Sequence, residues 1–169
     1  MRKNLALLSA AAALAVAPAH AIDVPQSRAE FVKAIEDGRG ADVETIRIAQ
    51  PLAKIYPLLE ERAKTCLDVT VNRVGNVGYV ERSSTDYNPT VRRIGDDRAE
   101  FTLQLAHNPR AVGSTPPPGG LYFMAADLRA TGEGHTEVLL YRPSLGTKKI
   151  TESLKAWLGG DPAPCPKLR

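Results

Sequence analysis

The sequence predicts an α+β domain: an antiparallel β-sheet wrapped on a C-terminal helix, with an extra helix ahead of the first strand. Two observations carry this. Between Leu67 and Arg142 apolar residues recur at alternate positions in short runs broken by turn formers, the pattern of strands with one covered face. After Thr147 the pattern changes: Ile150, Leu154, Trp157 and Leu158 fall at i, i+4, i+7 and i+8, a single helical stripe.

The chain opens on a secretory signal pattern. Arg2 and Lys3 precede an uncharged apolar run from Leu5 to Val16, and Ala19-His20-Ala21 supplies small residues for cleavage. The run is too short to span a ~30 Å hydrocarbon core as a helix, and no cysteine follows it for lipid attachment. The expectation is a signal peptide over residues 1–21 and a single secreted or periplasmic domain over 22–169, with no transmembrane segment after cleavage. Arg2 and Lys3 account for two of the 22 basic residues against 19 acidic ones, so the formal net charge falls from +3 to +1 on cleavage. Bases and acids are interspersed, as in Glu60/Arg62 and Glu81/Arg82, which argues against a nucleic-acid partner.

Ser27, with Glu30 three positions later, is a capping box opening a helix that turns Phe31, Val32 and Ile35 inward and stops at Gly38. Val43 to Ala49 alternates as a strand. From Pro51 to Leu67, Leu52, Ile55, Tyr56, Leu59, Ala63 and Cys66 share one helical face. Pro57 would cost ~3 kcal/mol in a helix interior, so two pieces are expected, the second starting at Pro57. Strands follow at Val69–Val71, at Val77–Tyr79 beyond a Gly75-Asn76 turn, at Thr90–Ile94, Ala99–Ala106, Leu121–Ala126 and Thr136–Arg142. Ser83 to Pro89 reads as a polar stretch of turn formers, and Asn108 to Gly120 as a proline-rich exposed connection. The last helix, Thr147 to Leu158, ends at Gly159-Gly160, with Leu154 and Trp157 as its main anchors.

Cys66 and Cys165 are the two cysteines. In an exported protein a lone pair is most simply a disulfide. A bridge closing a loop this long contributes ~4–5 kcal/mol in the chain-entropy model.

Chemistry is thinly represented. A zinc site needs about four ligands, and beyond the signal the histidines are His107 and His135, each beside turn residues; no metal or cofactor is expected. No serine lies in G-x-S-x-G. The carboxylate pairs Asp96-Asp97 and Glu60-Glu61 fit a turn and a helix surface. Nine aromatics (five Tyr, three Phe, one Trp) are few for a sugar-stacking cleft. No catalytic residue is assigned, and the expectation is a protein that is not an enzyme. Arg82, Tyr87, Arg92 and Arg93 flank the Ser83–Pro89 segment and, with Tyr122 and Tyr141, offer a rim for an anionic headgroup or a partner protein.

The order of a strand, a broken helix pair, several strands with a long loop and a C-terminal amphipathic helix resembles the helix-grip fold of START lipid-transfer domains, the birch-pollen-allergen family and aromatic polyketide cyclases. The stretch Ile46-Arg47-Ile48-Ala49-Gln50-Pro51, followed by Ile55-Tyr56-Pro57-Leu58-Leu59, looks like the start of such domains. The resemblance covers Val43 to Leu158; the Ser27 helix and the cysteine tail depart from it. It implies a sheet gripping the last helix with an apolar cavity between them, lined by Phe101, Leu103, Phe123, Val138, Leu140, Ile150 and Leu154. The same residues at these periods are more simply read as plain core. Two function classes follow. One is a binding module for a small apolar or lipid-like molecule. The other is an envelope protein–protein interaction factor or an inhibitor of an exported enzyme.

Overall fold

In the computed structural model, which describes residues 24–38, 41–76, 80–110, 115–132 and 134–168, six antiparallel strands form one open sheet. They are β1 (Ala41–Ile48), β2 (Val69–Asn76), β3 (Val80–Arg93), β4 (Arg98–Asn108), β5 (Leu121–Ala130) and β6 (Thr136–Pro143), in the order β1-β6-β5-β4-β3-β2. Three helices complete the fold: α1 (Arg28–Glu36), α2 (Leu52–Leu67) between β1 and β2, and α3 (Lys148–Leu158) after β6. The expected signal peptide, residues 1–21, lies outside the described residues.

Alternation decides what each face of the sheet carries. Phe101, Leu103 and Leu105 of β4, Met124, Ala126 and Leu128 of β5, and Val138 and Leu140 of β6 point to one side. There they join Leu52, Ile55, Leu59, Ala63 and Leu67 of α2 and Ile150, Leu154, Trp157 and Leu158 of α3 in a single buried cluster. The intervening residues point to the other side, where Phe31 and Ile35 of α1 meet Ala125 and Tyr141 in a second, smaller cluster. The extra N-terminal helix therefore covers the face opposite α2 and α3.

The caps follow the sequence closely at α1. Ser27 Oγ accepts from the Glu30 amide at 3.2 Å, while the Glu30 carboxylate accepts from the Gln26 amide at 2.7 Å, one residue before the position that a capping box uses.

Three expectations are corrected. First, α2 is one helix, with Pro57 inside it. Leu52 and Ile55, ahead of the proline, are both buried, and burying each side chain is worth about 1.5–3 kcal/mol. Together they offset the proline's cost and hold the first turn in line with the rest. Second, Gly75 and Asn76 form no turn but continue β2, opposite Glu81 and Val80; the connecting residues 77–79 lie outside the described residues, as does the Val77–Tyr79 strand expected there. Third, Ser83 to Pro89 is not a loop. It is the middle of β3, a fourteen-residue strand that runs on through the expected Thr90 strand to Arg93.

The reason is visible in the register. Thr85 and Tyr87 turn inward and are buried, while Asp86 accepts from Thr70 across the strands at 2.7 Å. Pro89 is tolerated because β2 pairs with β3 only as far as Tyr87. Beyond it β3 bonds β4 alone, and a residue without an N–H fits a strand that has a free side.

The corner between β1 and α2 is tied to both neighbours. Gln50 donates to the Gly159 carbonyl at the end of α3, and its own carbonyl accepts from Thr136 Oγ1 at 2.9 Å. Thr136 is buried on β6, so this bond also satisfies a hydroxyl that water cannot reach.

Candidate functional site

Behind α3 the chain reverses. Trp157, fully buried, donates its indole N–H to the Ala163 carbonyl at 3.1 Å. Cys165 is joined to Cys66 near the end of α2, and Lys167 and Leu168 arrive beside the first turn of α3. The tail thus runs back along α3 with Ala163 and Leu168 packed against the main core. Where it ends, a groove of about 300 Å³ opens between the tail, the start of α3 and β3. Tyr87, Ile150 and Leu168 give it apolar walls, and Lys148, Lys149 and Lys167 give it charge.

Tyr87 reaches the groove because β3 places it on the inward side, opposite Val69 of β2 and Leu105 of β4. Ile150 is the first residue of the α3 stripe. Among the described residues no carboxylate lines the groove; Glu152 lies 4.0 Å from Lys148 one turn along α3. Two lysines in the first turn oppose the helix dipole, which favours acids there. The first turn of α3 holds no acid.

Six of the seven residues expected to be ligand-facing or core, Phe101, Leu103, Val138, Leu140, Ile150 and Leu154, are buried in the main cluster. Phe123 is half-buried against it, at the register shift between β4 and β5. Of the seven, Ile150 lines the groove.

The expected rim is not brought together. Tyr87 is buried in the core. Arg93, on the same side of β3, lies over the Tyr56 ring of α2 at 5.8 Å from its centre and bonds the Gly95 and Asp96 carbonyls. Arg92 points to the opposite face and pairs with Glu100 at 2.9 Å. Arg82 sits beside Arg73 at the far end of the β2–β3 hairpin. Strand alternation, invisible while the segment is taken for a loop, distributes the four.

On the α1 face a polar cluster was not foreseen. Arg28 Nη2 donates to Asp127 Oδ1 at 2.5 Å and to the Ala126 carbonyl at 3.1 Å, and Nη1 stands 3.7 Å from Glu100. Glu100 and Asp127 are cross-strand partners. Tyr141, buried beneath, donates to Asp127; burial, and then the Asp127 charge, push its hydroxyl up to about 12. Each carboxylate is held by a guanidinium, so the arrangement clamps α1 to the sheet. Tyr122, half-buried, stacks on Phe31 at 6.0 Å.

His107 Nδ1 lies 3.0 Å from Thr85 Oγ1, and the two are cross-strand partners. Among the described residues no three of His, Cys, Asp and Glu gather as a metal site. No described helix is long and apolar enough to cross a membrane.

No family model matches the chain, and no curated protein matches it. Two solved structures are weakly similar. Protein Ms6760 from Mycobacterium smegmatis has a TM-score of 0.35 at 9% identity, over 82% of this chain and 94% of that one. DynU16, from the dynemicin biosynthetic locus, has a TM-score of 0.28 at 10% identity, over 71% of this chain and 44% of that one. This chain therefore spans less than half the length of the second.

Proposed function

We propose that the protein is exported, loses residues 1–21, and serves outside the cytoplasm as a non-catalytic binding module for an apolar or lipid-like ligand. The observation that carries this reading is the groove at the start of α3, where Tyr87, Ile150 and Leu168 line an opening of about 300 Å³, the low end of small-molecule sites. The strand order, with α2 inserted after β1 and α3 closing the same face, supports a helix-grip-like arrangement in which a ligand enters beside the last helix. The Cys66–Cys165 bridge supports an oxidising compartment.

Native mass spectrometry of protein recovered from the periplasm tests the assignment. A co-purified apolar small molecule that an organic extraction removes is the expected result. Protein that is ligand-free at every stage, with no change in Tm on adding medium-chain alcohols, would overturn it. A second reading, a partner protein bound at the sheet edge, is favoured by Val69 and Val74, both exposed on the terminal strand β2. A stoichiometric protein companion in the same spectrum would select it.

A further inference from the structure

The composition of the groove says more about its occupant than that it is apolar. Among the described residues its charged lining is of one sign, supplied by Lys148, Lys149 and Lys167, which come from two separate segments. Lys149 and Lys167 are both exposed, and among the described residues neither forms an ion pair. The first turn of α3 adds its own partial positive charge. Placing two lysines there works against the helix, with only Lys148 compensated, by Glu152 one turn along, and such a departure from a local rule is expected at functional or strained sites.

The second element is the tail. Lys167 and Leu168 complete the groove because Cys165, just before them, is tethered to α2 through Cys66. One wall and one charge of the site are therefore held by the disulfide. The apolar side chains sit at the inner end, with Tyr87 and Ile150 both buried, and the ammonium groups at the rim. That layout is polarised along one axis: charge outside, hydrocarbon inside.

We infer that the groove takes a single-chain anionic amphiphile of the fatty-acid type, with its carboxylate among Lys148, Lys149 and Lys167 and its chain against Tyr87, Ile150 and Leu168. The inference rests on the apolar-ligand reading above and adds the head and the number of chains. Lysines present compact point charges, without the planar fork by which arginine selects bidentate partners, so the head is recognised by charge. A volume of about 300 Å³ suits one hydrocarbon chain.

Binding of laurate below its micelle concentration, of dodecanol and of inorganic phosphate to the full mature protein, by calorimetry at low and high salt, tests this. Laurate should bind about tenfold more tightly than dodecanol at low salt, and the advantage should shrink as salt screens the lysines. The K149A/K167A variant, changed at two exposed positions and checked for an unaltered Tm, should bind both alike. The C66A/C165A variant should also lose affinity for laurate. Equal binding of laurate and dodecanol by the unaltered protein would overturn the anionic head while leaving an apolar ligand in place. Binding of neither would sink both readings. Phosphate binding as tightly as laurate would make the site one for a free anion, and capture by anionic phospholipid vesicles without laurate binding would make it a membrane contact; either result overturns the inference.

Discussion

On one face of the sheet, α2 and α3 bury a continuous apolar cluster that includes Trp157, Phe101, Leu103 and Leu154, closed by the Cys66–Cys165 bridge. On the other, α1 rests on a cluster of four buried residues and on the Arg28 clamp to Asp127 and Glu100. The first attachment is broad, non-directional and tolerant of small shifts. The second is narrow and depends on a few oriented polar contacts whose partners stand partly in water, where ion pairs contribute little. The covering of one sheet can thus be strong on one side and marginal on the other, and local opening is expected to start at the marginal side.

The largest test of that contrast is Trp157→Ala. The ring is fully buried, and its removal should cost about 3–5 kcal/mol, read as a shift of the urea midpoint; Leu154→Ala should cost about 2–5 kcal/mol. A Trp157 whose fluorescence is water-like in the folded protein would mean that α3 does not cover the sheet. Next comes the bridge. C66A/C165A should lower stability by about 2–5 kcal/mol, and the intact protein should weigh two hydrogens less than its reduced form under non-reducing conditions.

Tyr141 gives a third test, specific to the α1 face. Its hydroxyl is raised from 10.0 to about 12, by burial first and the Asp127 charge second. The folded state therefore keeps its proton where the unfolded chain loses it. This contribution is complete below pH 10 and is lost as pH rises toward 12, by up to about 2–3 kcal/mol. Tyr141→Phe should flatten that part of the stability profile, and an unchanged alkaline slope would show that the hydroxyl is not held as described. The smallest effect is expected from Arg28→Met, about 1–2 kcal/mol. It should be accompanied by faster amide exchange across α1 and unchanged exchange across α3. Equal acceleration in both helices would erase the distinction between the faces.

Much of the architecture was legible wherever one period dominated. The stripe of α3, the alternation of β4 and the Ser27 cap of α1 each matched a local rule, and the structure has those elements within a few residues of where the sequence places them. Pairing the two cysteines needed no more than their number and the expected export signal. Pro57 and the Ser83–Pro89 segment misled for a shared reason. A local cost is computable from the sequence, but the burial or cross-strand bonding that offsets it involves residues far away. The α1 clamp was out of reach, since Arg28 and Asp127 are separated by 99 positions and neither carries a local signal. Lys148-Lys149, in contrast, stand in plain view at the start of an apolar stripe. The missing acid in that first turn was the signal that could have marked the groove, although Lys167 joins them only through the folding back of the tail.

The free side of β3 beyond Tyr87 has a consequence for how copies of this chain behave when crowded together. A strand with an unpaired side is a template on which another molecule can add its own backbone, and such growth leads to insoluble assemblies. Here the unpaired stretch carries Pro89, which offers no N–H to an incoming strand. Pro89, part of what made this segment read as turn formers, is also what lets it stand beside its neighbours without zippering to them.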